Sequence, residues 1–189
     1  SNKELLDELL LYRVVENKAA GELWLEMNPH VVPPYRIIRS AFQSMAMKPG
    51  HPASSPKTVY ECRKRLGDDG WLRFARWMLT DDNKKVAVGA AIALAGLKEY
   101  RLSILGGVLM GAMHDGGYIV IAEKILADLV RDEGEKGIRW LAFRMANSNE
   151  WGGSHSGWWR VLLSVLEQLE EGPQLMAACS RCMGEFILP

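Results

Sequence analysis

The sequence predicts an all-α fold: about nine or ten short helices, packed as a globular bundle or an irregular helical array around a central apolar hairpin. Three observations carry this. Apolar residues recur three to four positions apart along almost the whole chain, which is the period of a helix face. No convincing run alternates apolar and polar residues as a half-buried strand does. Residues 86–113 hold two twelve-residue runs without a charge, Val86–Leu97 and Leu102–Met113, on either side of Lys98-Glu99-Tyr100-Arg101.

Surface of that kind is costly in water, so both runs are expected to be buried. Twelve helical residues rise about 18 Å, well short of the roughly 30 Å of bilayer hydrocarbon. Joined into one helix, the runs would place Lys98, Glu99 and Arg101 at mid-bilayer, at roughly 3 kcal/mol for each charge. A buried helical hairpin with no membrane span is the expectation. Gly89, Gly106, Gly107, Gly111 and the neighbouring alanines are expected to let helices approach closely.

The elements follow from the N-terminus. Leu5, Leu6, Leu9, Leu10 and Val14 form the first stripe, and Ala20, Leu23, Trp24 and Met27 the second. Pro33-Pro34 restarts the chain, as proline does near a helix start. Tyr35, Ile38, Ala41, Phe42 and Met45 then share a face. Lys48-Pro-Gly-His-Pro-Ala-Ser-Ser-Pro56 is the clearest loop, and it separates an expected N-terminal arm, 1–48, from a main body, 57–189. Lys57–Leu66 reads as a helix stopped by Gly67-Asp-Asp-Gly70. Trp71, Phe74, Ala75 and Met78 form the next stripe, and Asp81 or Asp82 is expected to cap the first apolar helix. Tyr118-Ile-Val-Ile121 runs straight into a helical pattern through Ala122, Ile125 and Leu129, followed by Ile138, Leu141 and Met145. A loop at Asn147–Gly157 precedes Trp158, Leu162, Val165, Leu166 and Leu169. After Gly172-Pro173, the stripe of Leu175, Cys179, Cys182, Met183 and Phe186 closes the chain.

Composition narrows the function. The 189 residues are 48% hydrophobic and 24% charged, ordinary for a soluble globular protein of one domain, with or without a small appendage. The formal net charge is +0, so no global field announces a nucleic-acid or membrane partner. Three cysteines argue against a disulfide framework and point to a reducing, intracellular compartment. No basic and apolar leader opens the chain, and Ser1-Asn2 without methionine suggests a segment upstream.

The chemical motifs are sparse. Cys179-Ser-Arg-Cys182 lacks a second ligand pair for zinc, Cys62 being the only other cysteine, and reads as two small core residues. His30, His51, His114 and His155 are scattered, with no pair at metal-ligand spacing. No phosphate-binding glycine motif and no serine-nucleophile elbow is present. No metal or cofactor is expected. His114-Asp115 and His155 leave a small enzyme using loop histidines as one alternative.

Two regions suggest binding instead. Glu150-Trp-Gly-Gly-Ser-His-Ser-Gly-Trp-Trp159 sets polar side chains among Trp151, Trp158 and Trp159, with His155 between them. Tryptophan supplies contact area at low entropic cost. The stretch from Arg36 to Arg76 holds Arg36, Arg39, Lys48, Lys57, Arg63, Lys64, Arg65, Arg73 and Arg76 against Glu61, Asp68 and Asp69. Tyr35, Tyr60, Trp71, Phe74 and Trp77 are interleaved with them. Such a pattern can track phosphates and stack bases.

Ser55-Pro-Lys-Thr-Val-Tyr-Glu-Cys-Arg-Lys-Arg-Leu66, with Gly-Asp-Asp-Gly-Trp-Leu72 after it, resembles the recognition helix and turn of winged helix–turn–helix proteins. The resemblance implies that Thr58, Tyr60, Arg63 and Lys64 would face DNA. It departs at Arg63, where an apolar residue is usual, and no wing strands follow. Asp81-Asp-Asn-Lys-Lys-Val-Ala-Val-Gly-Ala-Ala-Ile-Ala-Leu-Ala-Gly-Leu97 resembles one helix of a HEAT-type repeat, with helix starts near 82, 118 and 157.

The function expected from the sequence is a non-catalytic protein-binding adaptor, scaffold or assembly domain whose partner is another protein or a second copy. Leu6 and Leu10 on the first helix, with Trp151, His155, Trp158 and Trp159 in the tryptophan loop, are the candidate contacts. Seven tryptophans and nine methionines fit this reading, since both types are over-used at binding surfaces. Nucleic-acid binding through Arg36, Arg39, Lys57, Tyr60, Arg63, Lys64, Arg65, Arg73 and Arg76 is the first alternative. A membrane-active helical hairpin is a weaker one.

Overall fold

A computed structural model describes residues 2–14, 17–111 and 119–146, together with Ala177. Among them are eight α-helices and no strand. They are α1 (Asn2–Arg13), α2 (Lys18–Met27), α3 (Tyr35–Met45), α4 (Pro56–Met78), α5 (Lys84–Leu94), α6 (Leu102–Gly111), α7 (Ile119–Asp132) and α8 (Glu135–Ala146). The all-α class is as expected. Ile119, Val120 and Ile121 open helix α7, as the helical pattern running through Ala122, Ile125 and Leu129 predicts. The tryptophan loop and the Cys179–Cys182 motif lie outside the described residues.

The chain packs as two compact units, Ser1–Leu97 and Lys98–Pro189. The division falls between the two apolar runs, so α5 belongs to the first unit and α6 to the second. The two apolar runs, expected from the sequence as one central hairpin, therefore fall in separate units. Burial is fuller on the first run than on the second, where Ser103, Ile104 and Gly107 are exposed, Ile104 by 50%. Val86 through Ala91 and Leu94 are buried where α5 packs on α3 and α4. Leu102, Leu105, Gly106, Leu109 and Met110 are buried on α6, which packs on α7. The loop at 48–56 lies inside the first unit.

The local chemistry explains each start and stop in the first unit. Asn17 caps α2 by accepting from the Ala19 N–H at 2.9 Å. Ser55 caps α4 by accepting from the Thr58 N–H at 3.1 Å, with Pro56 at the first helical position. Asn83, rather than Asp81 or Asp82, caps α5, accepting from the Lys85 N–H at 3.0 Å. Asp81 is occupied elsewhere, as described below. Gly67 breaks the helical backbone inside α4, with φ 69° and ψ 167°. That region is essentially reserved for glycine, so the stop expected at Gly67-Asp-Asp-Gly70 takes the form of a kink. Trp71, Ala75 and Met78 resume the buried face beyond it.

The core of the first unit is centred on α3. Ile37, Ile38, Ala41 and Phe42 are fully or almost fully buried. The Phe42 ring stacks on Trp71 of α4 with centroids 4.1 Å apart and planes 13° apart. Burial of side chains this large contributes about 1.5–3 kcal/mol each. Gly89 lies directly against the α3 backbone: a Cβ built there would sit 1.7 Å from the Phe42 carbonyl oxygen. In the second unit the same device recurs twice. A Cβ on Gly106 would meet the Trp140 ring at 2.6 Å, and one on Gly137 would meet the Val130 carbonyl oxygen at 2.1 Å. Gly107 and Gly111, by contrast, have open space where a Cβ would be.

Candidate functional site

Where the end of α4 passes the start of α3, the first unit carries an open cleft of about 280 Å³ lined by Tyr35, Arg39, Trp77, Met78, Thr80, Asp81 and Asp82. Tyr35 opens α3 and Arg39 follows one turn later on the same side. Trp77 ends the exposed side of α4, and Thr80–Asp82 form the connection to α5. The Tyr35 and Trp77 rings pack with centroids 5.2 Å apart, and Phe74 extends the row at 6.1 Å from Trp77. Trp77 nevertheless leaves 62% of its surface exposed and Tyr35 leaves 43%.

A two-point ion pair floors the cleft. Arg39 donates from Nε to Asp81 Oδ2 at 2.9 Å and from its second terminal nitrogen to Oδ1 at 2.7 Å. Paired donors of this kind give geometric specificity as well as energy. The Asn83 N–H donates to the same Oδ1 at 2.8 Å. The hydrogen bond from Arg39 therefore holds the Asp81 carboxyl below the usual carboxylate range, against the opposing effect of burial. The same pairing raises the Arg39 guanidinium.

The sign of the linkage follows from that direction. A carboxyl with a lowered folded pKa stabilises the fold fully above its unfolded value, and that stability is lost as pH falls through the folded value. Asp81→Asn is accordingly expected to flatten the stability profile below about pH 4, near the ordinary aspartate value. Thermal melts of both proteins across that range check it. Parallel profiles for the two would remove the pair as a stabilising element.

The basic residues from Arg36 to Arg76 do not form one free cationic face. Arg39 is paired with Asp81, Lys57 with Glu26, and Arg63 with Asp68 at 2.8 Å. Arg65 is the most committed. It bonds Glu61 and donates to the carbonyls of Leu25 at 3.0 Å, Asn28 at 2.7 Å and Val31 at 3.3 Å. The first two carbonyls belong to the C-terminal end of α2, where a cation also complements the helix dipole. Lys64 lies 5.9 Å from the centroid of the exposed Tyr60 ring. Arg36 reaches the Leu11 carbonyl at 3.5 Å, and Arg73 and Arg76 lie on the exposed side of α4. The row of base-stacking aromatics is also divided: Trp71 is buried against Phe42, while Tyr60 and Trp77 are exposed.

The remaining candidates are placed as follows. On α1, Leu6 is 41% exposed, but Leu10 is buried and makes part of the core. Leu5, Leu9 and Tyr12 are the more exposed members of that helix. His30 is exposed, and His51 is held in its own turn, its Nδ1 accepting from the Ala53 N–H at 3.1 Å. His114, Trp151, His155, Trp158 and Trp159 lie outside the described residues. Burial pushes the Cys62 thiol up to about 12, which removes it as a nucleophile near neutral pH. Among the described residues no group of three or more histidine, cysteine, aspartate or glutamate side chains could hold a metal ion. Among those residues, too, no helix is long and apolar enough to cross a membrane.

A second buried polar group sits at the start of α4. The Ser55 hydroxyl donates to Glu22 at 2.6 Å and lies 2.8 Å from the Thr58 hydroxyl, while the Ser55 N–H donates to the Ser44 hydroxyl at 2.6 Å. The space beside it, about 20 Å³, has room for one water. These bonds satisfy a helix start and its buried hydroxyls.

Sequence reasoning found the aromatics of the cleft but not the cleft. Tyr35, Arg39 and Trp77 belong to the interleaved basic and aromatic stretch. Their partner Asp81 lies 42 residues after Arg39, and nothing local joins the two. Comparison of the chain with protein-family models, with curated proteins and with solved structures gives no match.

Proposed function

We propose that this chain is a non-catalytic, protein-binding helical domain that docks a partner through the Tyr35–Trp77 cleft. One observation carries the reading: a large, mostly exposed tryptophan is fixed beside a rigid ion pair in an open depression. Tryptophan, tyrosine and arginine are the residues that dominate the energy of protein interfaces. The shape of the cleft supports a partner protein over a free small molecule. At about 280 Å³ it is open and shallow and suits a single anchoring side chain.

Nucleic-acid binding through the 36–76 stretch is less well supported. Phosphate contacts need cations that can leave their present surroundings. Arg39, Lys57, Arg63 and Arg65 each already hold a carboxylate, and Arg65 holds three carbonyls besides.

A photo-crosslinking residue in place of exposed Thr80 tests the docking reading in the cell of origin. Discrete protein adducts are expected, and Trp77→Ala should abolish them. The same group placed at exposed Asp69 should yield none. Adducts with nucleic acid in place of protein, or equal yields from the two positions, would sink the proposal.

A further inference from the structure

We propose that the cleft selects a cationic side chain, an arginine or lysine presented by the partner protein, and seats it on the face of Trp77 against Asp82. This rests on the docking reading above and adds the chemistry of the anchor. The charges lining the cleft are Arg39, Asp81 and Asp82. Arg39 and Asp81 cancel one another through two hydrogen bonds, and both Asp81 oxygens are occupied. Asp82 is exposed at the rim and makes no hydrogen bond or ion pair among the described residues. One arginine against two aspartates leaves the lining negative by one, and Asp82, within Coulombic reach of Arg39 but not bonded to it, is the carboxylate open to a ligand, although the surrounding stretch of sequence is basic. Arg36, Arg73 and Arg76 do not line the cleft.

The aromatic wall completes the match. Tyr35 and Phe74 flank Trp77 with centroids 5.2 and 6.1 Å away, too close for a ligand to enter between the rings, so the part of the indole left open to solvent is the seat. A cation over the face of tryptophan is attracted by the ring quadrupole, and tryptophan is the strongest such partner. A guanidinium can stack on the indole and direct its remaining donors at a carboxylate beside it. An anionic side chain would meet Asp82, while Arg39, the cation in the lining, is held by Asp81. An aliphatic one would gain the indole face but leave the carboxylate unused.

The test uses N-acetylarginine amide as the probe and N-acetylcitrulline amide as its neutral counterpart, added to the whole chain. The indole N–H resonance of Trp77, assigned by its loss in Trp77→Phe, reports occupancy. The arginine probe is expected to shift that resonance to saturation, and the citrulline probe is not. Asp82→Asn and Trp77→Phe should each weaken binding about two- to fivefold, the size of one exposed charge pair or one exposed cation–π contact. In the phenylalanine variant, binding is read by calorimetry. Asp82 is exposed and serves no cap, so its variant keeps the test independent of folding. Equal shifts with both probes, or undiminished binding in Asp82→Asn, would overturn the cationic anchor. Should Thr80 crosslinks persist in Asp82→Asn while the arginine probe leaves Trp77 unmoved, the anchor is refuted and the docking reading stands. Loss of the crosslinks in Trp77→Ala together with the charge-selective shift supports both.

Discussion

Gly89→Ala is expected to destabilise the first unit by about 3 kcal/mol, at the upper end of the range for overpacking a core. For a unit of this size that lowers the melting temperature by more than about 10 °C. The usual effect has the opposite sign, since alanine is favoured over glycine in a helix interior by about 1 kcal/mol. Here the added methyl would lie 1.7 Å from the Phe42 carbonyl oxygen. That obstacle is backbone rather than the flexible end of a side chain, so α5 must move off α3 to admit it. Movement would loosen Val86, Val88 and Phe42, all now buried at 1% exposure or less. Gly107→Ala is the matching control, because nothing occupies the space of its Cβ. It should stabilise the chain by up to about 1 kcal/mol. Thermal melts of both variants check the pair of signs, and a stabilised Gly89→Ala would refute the close packing of α3 and α5.

Arg65→Ala is expected to cost about 2–3 kcal/mol, whereas Arg63→Ala and Lys64→Ala should each stay within about 0.5 kcal/mol of the parent. The difference lies in what the three cations touch. Arg63 pairs with Asp68 in solvent, with side chains 61% and 74% exposed, and such a pair contributes little. The Arg65 side chain is only 12% exposed. Its guanidinium ties α4 to the end of α2 and to the turn after it through three carbonyls. Each charge-assisted bond of that kind contributes about 1.5–3 kcal/mol, partly offset by water reaching the vacated carbonyls. Denaturant melts of the three single variants measure this. Equal, small effects at all three positions would show that Arg65 is not a strut.

The second result bears directly on function. A combined Arg63, Lys64 and Arg65 substitution would weaken any activity by loosening the fold, and would mimic the loss of a nucleic-acid interface. A clean test of that alternative substitutes Arg63 and Lys64 alone and measures the salt dependence of oligonucleotide binding. Removing a cation that holds a phosphate should reduce the logarithmic slope by about 0.7–0.9. A flat dependence in the parent protein leaves the docking cleft as the better-supported surface.

Much of the secondary structure is legible in the sequence because it rests on local chemistry. The stripe from Tyr35 to Met45 is α3, the helix expected from Lys57 is the first part of α4, opening one residue earlier at Pro56, and Gly67 does break it. Burial of the first apolar run is legible too, but the second keeps a face in water at Ser103, Ile104 and Gly107, because α6 packs on α7 through its other side. Even so, Tyr35 falls on the predicted stripe and is 43% exposed, while Ile37, outside that stripe, is fully buried. The α3 helix is enclosed on more than one side by α4 and α5, so its buried arc is wider than a single stripe and shifted around the helix.

The site is less legible, for a related reason. The basic and aromatic residues from Arg36 to Arg76 read as a phosphate-tracking surface only while their partners are unknown. The partners of Arg39 and Arg65 lie 34 to 42 residues away, apart from Glu61. Those of Arg65 are mainly backbone carbonyls, which have no sequence signature at all. The same holds for the cap of α5. Asp81 is a good capping residue by type, but Arg39 engages it, and Asn83 serves in its place.

By itself, then, the sequence determined the all-helical class, most helix starts and the burial of most of the first apolar run. Periodicity, capping chemistry and the cost of wetting apolar surface act over a few residues and need no knowledge of the rest. Only the tertiary structure decided that the two apolar runs belong to separate units, which glycines are irreplaceable and which arginines are struts. It also set an exposed Trp77 beside a neutralised ion pair. Each of these depends on what lies across a packed interface, and residues that meet there are too far apart in the chain for any local pattern to record them.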